Sequence, residues 1–259
     1  MAMIDEILEQ TKKLKAMTLK EKIAYIWHYY KIHIIITVIV IICAISVAKT
    51  INQNSKPVYI QAVFINTDTA YSRVEPTIAE DYTAKYGIDT NKYNVLVDYN
   101  VRLNADMKDM DNLGGQIRLD AEYQDGDLDI VCGPENIMIS TASIGSYANL
   151  EEVLPDGMLD KLIAAGYEPF YYTEPDTNVE IDGAGNVVKK VPKEGEVFEE
   201  PKTYIGGIYI DKCEYLNSQA DAGIYMEAKE NERPILTIAV NTGRLDAAVD
   251  FIKMITGVE

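Results

Sequence analysis

Residues Ile32 to Ala48 read IHIIITVIVIICAISVA, a run without Lys, Arg, Asp or Glu near the start of the chain. A helix that crosses a hydrocarbon layer of roughly 30 Å needs about 20 residues at 1.5 Å each. The run falls slightly short of that by itself, and Trp27, Tyr29 and Tyr30 lengthen it by a turn. Their rings suit the headgroup boundary, where an apolar body and a polar tip are both satisfied. The expected membrane-anchor residues are therefore Trp27, Tyr29, Tyr30, Ile34, Ile35, Ile36, Val38, Ile39, Val40, Ile41 and Ile42.

Charge gives the span a direction. Lys12, Lys13, Lys15, Lys20, Lys22 and Lys31 precede it, whereas only Lys49 and Lys56 follow closely. Basic flanks stay on the cytoplasmic side, so residues 1–31 are expected in the cytoplasm and the rest outside. The organisation expected is a basic segment 1–31, a span 32–48, a tether 49–57 and a body 58–257. The alternative is a cleaved leader, because Ser46-Val47-Ala48 has the small-x-small form of a cleavage site. About 30 residues precede the run, which is long for a leader, and the span is read as retained. A lipid anchor at Cys43 is disfavoured by Ile42, where a bacterial lipobox carries Gly or Ala.

Thr18-Leu19-Lys20-Glu21 has the form of a capping box, with Glu21 reaching back to the Thr18 amide. No Gly or Pro follows until Pro57, so one helix can run into the membrane. Upstream, Ile4, Ile7, Leu8, Leu14 and Met17 suggest a short amphipathic helix suited to an anionic lipid surface; a frayed segment is the alternative.

From residue 49 on, the chain holds 18 of the 24 basic residues and 37 of the 41 acidic ones, a balance of 18 − 37 = −19. Such a surface repels nucleic acid, so no nucleic-acid partner is expected. Both histidines, His28 and His33, lie at the membrane. The body therefore lacks the residues for Ser-His-Asp or Cys-His nucleophiles and for His-based metal sites. No Ser-x-x-Lys occurs there either. Carboxylate chemistry, as in glycoside hydrolysis, stays open. Cys132 and Cys213 each fall at or just after a strand pattern; a bridge between them is conceivable, with two buried thiols as the alternative.

Along the body, 58–65 and 93–99 read as strands, separated by a helix that opens at Pro76 and stops at Gly87. Gly114-Gly115 leads a helix to Tyr123, and Asp125-Gly126-Asp127 turns into a third strand through Cys132. This β-α-β-α-β progression predicts a largely parallel sheet. Short helical pieces follow over 136–154, then a helix capped by Asp156 that ends at Gly166. Residues 168–202 are rich in Pro and charge, with a hairpin pattern over 179–189, and read as an insertion from the sheet. Strands are expected again at 204–210 and 234–240, and Thr242 is expected to cap a last helix.

The remaining motifs have bland explanations. Asp125-x-Asp127-x-Asp129 resembles the opening of an EF-hand loop, but Ile130 stands where the turn glycine belongs and Asn136 where the bidentate Glu belongs. Asp182-Gly183-Ala184-Gly185-Asn186 is explained as a hairpin tip. Gly114-Gly115 before a helix offers amides to an anion but lacks a phosphate-loop pattern. Tyr outnumbers Phe 18 to 4. Phe170-Tyr171-Tyr172 and Tyr204 could stack on a sugar or grip a peptide, or simply bury rings with wetted hydroxyls. No metal or cofactor is expected.

The order of parts from residue 58 to 257 resembles the extracellular solute-binding proteins of bacterial ABC importers, which have two α/β lobes and a hinge. The likeness is carried by the strand at 58–65, Tyr86-Gly87, the strand at 93–99, DGDLDIV at 125–131, Asn149 to Pro155, and ILTIAVNTGRLDAAVDFIKMITG at 235–257. KEKIAYIWHYYKIHIIITVIV at 20–40 resembles an anchor recurrent in uncharacterised single-pass membrane proteins of Firmicutes. The resemblance implies one solute-binding-type lobe on a membrane anchor, α/β in class, with a β-hairpin insertion. The function it implies is non-enzymatic: binding of a small molecule, peptide or membrane-protein partner, in a sensory or accessory role. Two alternatives remain, the substrate-binding component of an importer for sugar or peptide, and a carboxylate-dependent glycoside hydrolase.

Overall fold

The unbroken run from Thr18 to Lys56 folds as one helix, α1 (Leu19–Asn54). In the computed structural model, which describes residues 18–103, 113–141, 147–174, 176, 178–181, 187–190, 200–224 and 232–259, its start is the expected capping box. The Glu21 carboxylate accepts from the Thr18 amide at 2.9 Å and from the Thr18 hydroxyl at 2.8 Å. The segment read as amphipathic at 4–17 and the glycine-rich tip at 182–186 lie outside the described residues. Tyr30–Ile51 of α1 is long and apolar enough to cross a membrane, rising about 33 Å at 1.5 Å per residue. It extends the expected span at both ends, because Lys49 and Thr50 do not break the helix. The Thr50 hydroxyl instead donates to the Ser46 carbonyl at 3.0 Å. The helix reaches Asn54, so the tether shortens from 49–57 to 55–57.

The chain divides into two units, Met1–Lys56 and Pro57–Glu259. The second is an α/β body built on a six-stranded sheet. Its strands are β1 (Val58–Phe64), β2 (Asn94–Asp98), β3 (Ile130–Pro134), β4 (Pro169–Thr173), β7 (Thr203–Tyr209) and β8 (Pro234–Ile238), in the order β2-β1-β3-β8-β7-β4. β5 (Val179–Ile181) and β6 (Val187–Lys189) pair as a separate antiparallel ladder, the hairpin of the insertion.

One face of the sheet carries α2 (Ile78–Tyr86), α5 (Leu150–Val153), α6 (Met158–Ala164), α7 (Glu214–Ser218) and α8 (Leu245–Thr256). The other carries α3 (Leu113–Gln124) and α4 (Glu135–Thr141). Ile60, Ala62 and Phe64 of β1 point into the first core, and Val63 and Ile65 into the second, as the two-residue period of a strand requires.

The expectation of a largely parallel sheet is corrected. β1 is parallel to β2 and to β3, as the β-α-β-α-β start implied. The other three ladders, β3–β8, β8–β7 and β7–β4, are antiparallel. Every residue of β3 and of β8 is buried. Such uniformly buried strands report helices on both faces, and strand direction leaves no mark on that pattern.

A second correction concerns Pro169–Thr173, placed by sequence in the insertion but actually an edge strand of the main sheet. Phe170 and Tyr172 point inward while Tyr171 and Thr173 are exposed, and a leading Pro is tolerated on an edge that needs no donor there.

Two caps also differ. Gly157, not Asp156, occupies the N-cap of α6, and no side chain caps it. Arg244, not Thr242, occupies that of α8. Cys132 and Cys213 are separate buried thiols, not a bridge. The Cys213 thiol donates to the Ile255 carbonyl at 3.0 Å and its sulfur accepts the Leu216 amide at 3.5 Å, fastening α7 to α8.

The excess of Tyr over Phe has a packing explanation. Tyr82 and Tyr86 of α2 bury their rings and donate to the Ala247 and Asp250 carbonyls of α8, at 2.9 and 2.7 Å. Tyr147 donates to Met138, Tyr167 to Thr256 and Tyr204 to Tyr147, each to a carbonyl. A phenylalanine fills the same space but leaves those carbonyls without the donor. Burial pushes the Tyr86 and Tyr204 hydroxyls up to about 12, so they remain donors throughout the physiological range.

Candidate functional site

In open α/β sheets, ligands favour the carboxyl ends of parallel strands where the order reverses. Here that point lies between β1 and β3, and the loops above it are stitched together. Asn66, directly after β1, takes a left-handed φ of 59°. Its side chain accepts from the Leu103 amide at 2.8 Å and donates to the Leu103 carbonyl at 2.7 Å, while its own amide bonds Val101. The buried Thr67 hydroxyl donates to the Tyr99 carbonyl at 2.9 Å. The Asp68 amide bonds the Gly223 carbonyl at 2.8 Å. A side chain at Gly223, whose φ is +83°, would meet the Asp68 carbonyl carbon at 2.5 Å. These contacts tie the described parts of three loops together above the switch point.

A cleft of about 430 Å³ sits at the opposite end of the sheet. Val58 and Tyr59 at the start of β1, Tyr93 just before β2, and Gly243 to Ala247 at the start of α8 line it. The Tyr59 and Tyr93 rings meet edge to face, with centroids 5.7 Å apart. Neither hydroxyl, nor the exposed Asp246 carboxylate, has a partner among the described residues.

Arg244 is held from beneath by Asp129, which is fully buried at the entry to β3. One Asp129 oxygen accepts from Arg244 Nε and from the Gln61 amide, both at 2.8 Å. The other accepts from the Thr242 hydroxyl, which in turn accepts the Arg244 amide at 3.1 Å. Arg244 Nη2 donates to the Asp127 carbonyl. The guanidinium is thus fixed and its charge balanced, with only Nη1 lacking an acceptor among the described residues.

Asp129, noticed in sequence within an EF-hand-like pattern, therefore uses its carboxylate to tie β1, β3 and the start of α8 together. Among the described residues no group of three or more His, Cys, Asp or Glu is placed to hold a metal ion. Gly115 is explained by packing, since a side chain there would meet the Arg102 carbonyl oxygen at 3.1 Å. Of the aromatic group suspected of stacking on a ligand, Phe170 and Tyr172 are core residues, Tyr204 is spent on Tyr147, and only Tyr171 is largely exposed.

Of the residues expected to anchor the chain, Trp27, Tyr30, Ile34, Ile35, Ile36, Val38, Ile39, Val40, Ile41 and Ile42 are exposed on α1, and Tyr29 lies on the same helix. Sequence reasoning missed Tyr59, Tyr93, Arg244 and Asp246. The available signal was Asp129 itself, a carboxylate inside an apolar strand pattern that needs a buried cation. No known protein family, curated protein or solved structure matches the chain.

Proposed function

We propose that this chain is a single-pass membrane protein whose acidic body faces outward and serves as a binding or accessory domain, with the cleft at the start of α8 as its ligand site. The observation that carries the reading is α1: Tyr30–Ile51 is long and apolar enough to cross a membrane. A helix of that length and composition matches the hydrocarbon thickness of a bilayer. The lysine excess on its N-terminal side supports a cytoplasmic N-terminus. Within the solute-binding likeness, the parallel β2-β1-β3 start supports a lobe of that kind. The cleft favours binding over glycoside hydrolysis, because Asp246 is the one carboxylate among the described residues that line it, where two facing carboxylates are needed.

Orientation is tested by cysteine labelling. Lys92→Cys places a thiol at a side chain 75% exposed, while native Cys132 and Cys213 are buried. A membrane-impermeant maleimide should label this variant on intact cells. Labelling only after permeabilisation would overturn the outward orientation.

A further inference from the structure

We propose that the cleft receives a zwitterionic headgroup, an ammonium joined to a phosphate as in glycerophosphoethanolamine, taken from the lipid leaflet beside the anchor. The inference rests on the reading of α1 as a span with the body outside.

The first support is reach. After Ile51, three helical residues and then Ser55, Lys56 and Pro57 lead to Val58, which lines the cleft. The helical part rises about 4.5 Å and the extended part spans at most about 14 Å. In any orientation of the body, Val58 thus stays within roughly 20 Å of the end of the apolar stretch. A headgroup layer is itself about 5–7 Å deep. The chain therefore keeps this cleft close to a dense supply of headgroups.

The second support is charge pattern. Arg244 and Asp246 line the same cleft and carry opposite signs. Asp129 already balances Arg244 from beneath, and the chain is acidic overall at −17. A simple anion gains little there. A ligand with both charges can set a phosphate oxygen against Arg244 Nη1 and its ammonium against Asp246. The Tyr59 and Tyr93 rings offer the ammonium an aromatic surface as well. The third support is size: about 430 Å³ lies in the range of small-ligand sites, which suits the headgroup while the acyl chains stay in the bilayer.

The test uses the full chain. In detergent micelles, glycerophosphoethanolamine should raise the melting temperature and give saturable heat on titration; glycerophosphoglycerol, which lacks the ammonium, should bind at least tenfold more weakly. Asp246→Asn should weaken glycerophosphoethanolamine about tenfold, the loss of one charge-assisted contact, with an unchanged circular dichroism spectrum. Tyr93→Leu, at an exposed position, supplies a second variant should the first misfold. Equal binding of both headgroups, or of wild type and Asp246→Asn, overturns the proposal. In nanodiscs, phosphatidylethanolamine should raise the body's melting temperature above its value in phosphatidylcholine. If only the soluble headgroup stabilises, the lipid source is overturned. External labelling of Lys92→Cys with no headgroup binding defeats this inference and leaves the orientation standing.

Discussion

Removing the guanidinium from Arg244 tests the junction beneath the cleft. Arg244→Met keeps most of the side-chain volume but leaves the Asp129 carboxylate, 0% exposed, without its cation. Stranding one member of a buried ion pair costs about 3–5 kcal/mol. The lower end applies here, because the Gln61 amide and the Thr242 hydroxyl still donate to the carboxylate and the Arg244 side chain is 23% exposed. A cost of about 3 kcal/mol is a large share of the roughly 5–15 kcal/mol typical of a folded domain. Residues 57–259 form a compact unit and lack the chain's single tryptophan, Trp27, so urea unfolding is followed by far-ultraviolet circular dichroism. With a slope of about 2–3 kcal/mol per molar, the midpoint should fall by about 1 M while the slope holds.

Adding Asp129→Asn to Arg244→Met should recover about 1–2 kcal/mol, because it neutralises the stranded charge. The asparagine oxygen can still accept the Gln61 amide, and its nitrogen can donate to the Thr242 hydroxyl. Two results refute the reasoning: a cost below about 1 kcal/mol for Arg244→Met, or a double variant less stable than Arg244→Met alone.

Two further predictions concern the fold. Gly87 and Gly223 both take left-handed φ values, 63° and 83°, but a side chain at Gly87 meets open space; Gly87→Ala should cost about 1 kcal/mol and Gly223→Ala about 2–4 kcal/mol, and equal losses in urea midpoints would show that the Asp68–Gly223 approach is loose. Asp120 lies above the usual carboxylate range because burial disfavours its charge, and its Oδ1 has no partner among the described residues. Its neutral form is therefore favoured by folding, so its penalty is absent below the ordinary carboxylate range and appears as pH rises through the raised value. Asp120→Asn should raise the melting temperature at pH 7, with the difference closing near pH 3; a pH-independent difference would reject burial as the cause.

Much of the fold was legible because local rules governed it. The long apolar helix followed from a charge-free run that no turn residue interrupts. Gly87 ends α2 in the left-handed conformation expected of it. The apolar recurrence from Leu245 to Ile255 gave α8, which buries Ala248, Phe251 and Ile252 completely. The first three strands and their parallel pairing followed from the alternation of strand and helix. The site was less legible because its parts are distant in sequence. Tyr59 lies at the start of β1, Tyr93 just before β2 and Arg244 at the start of α8, and no spacing rule joins them.

What the sequence determined by itself was whatever one segment's own chemistry decides: a helix too apolar for water, its basic flank, and strands buried on both faces. The tertiary structure alone decided how those strands were ordered and directed, since a doubly buried strand looks the same beside a parallel or an antiparallel neighbour. It also decided that Pro169–Thr173 closes the sheet as its edge. Finally, it joined Asp129 to Arg244 across 115 positions, because a carboxylate taken out of water must find a cation wherever the fold brings one near.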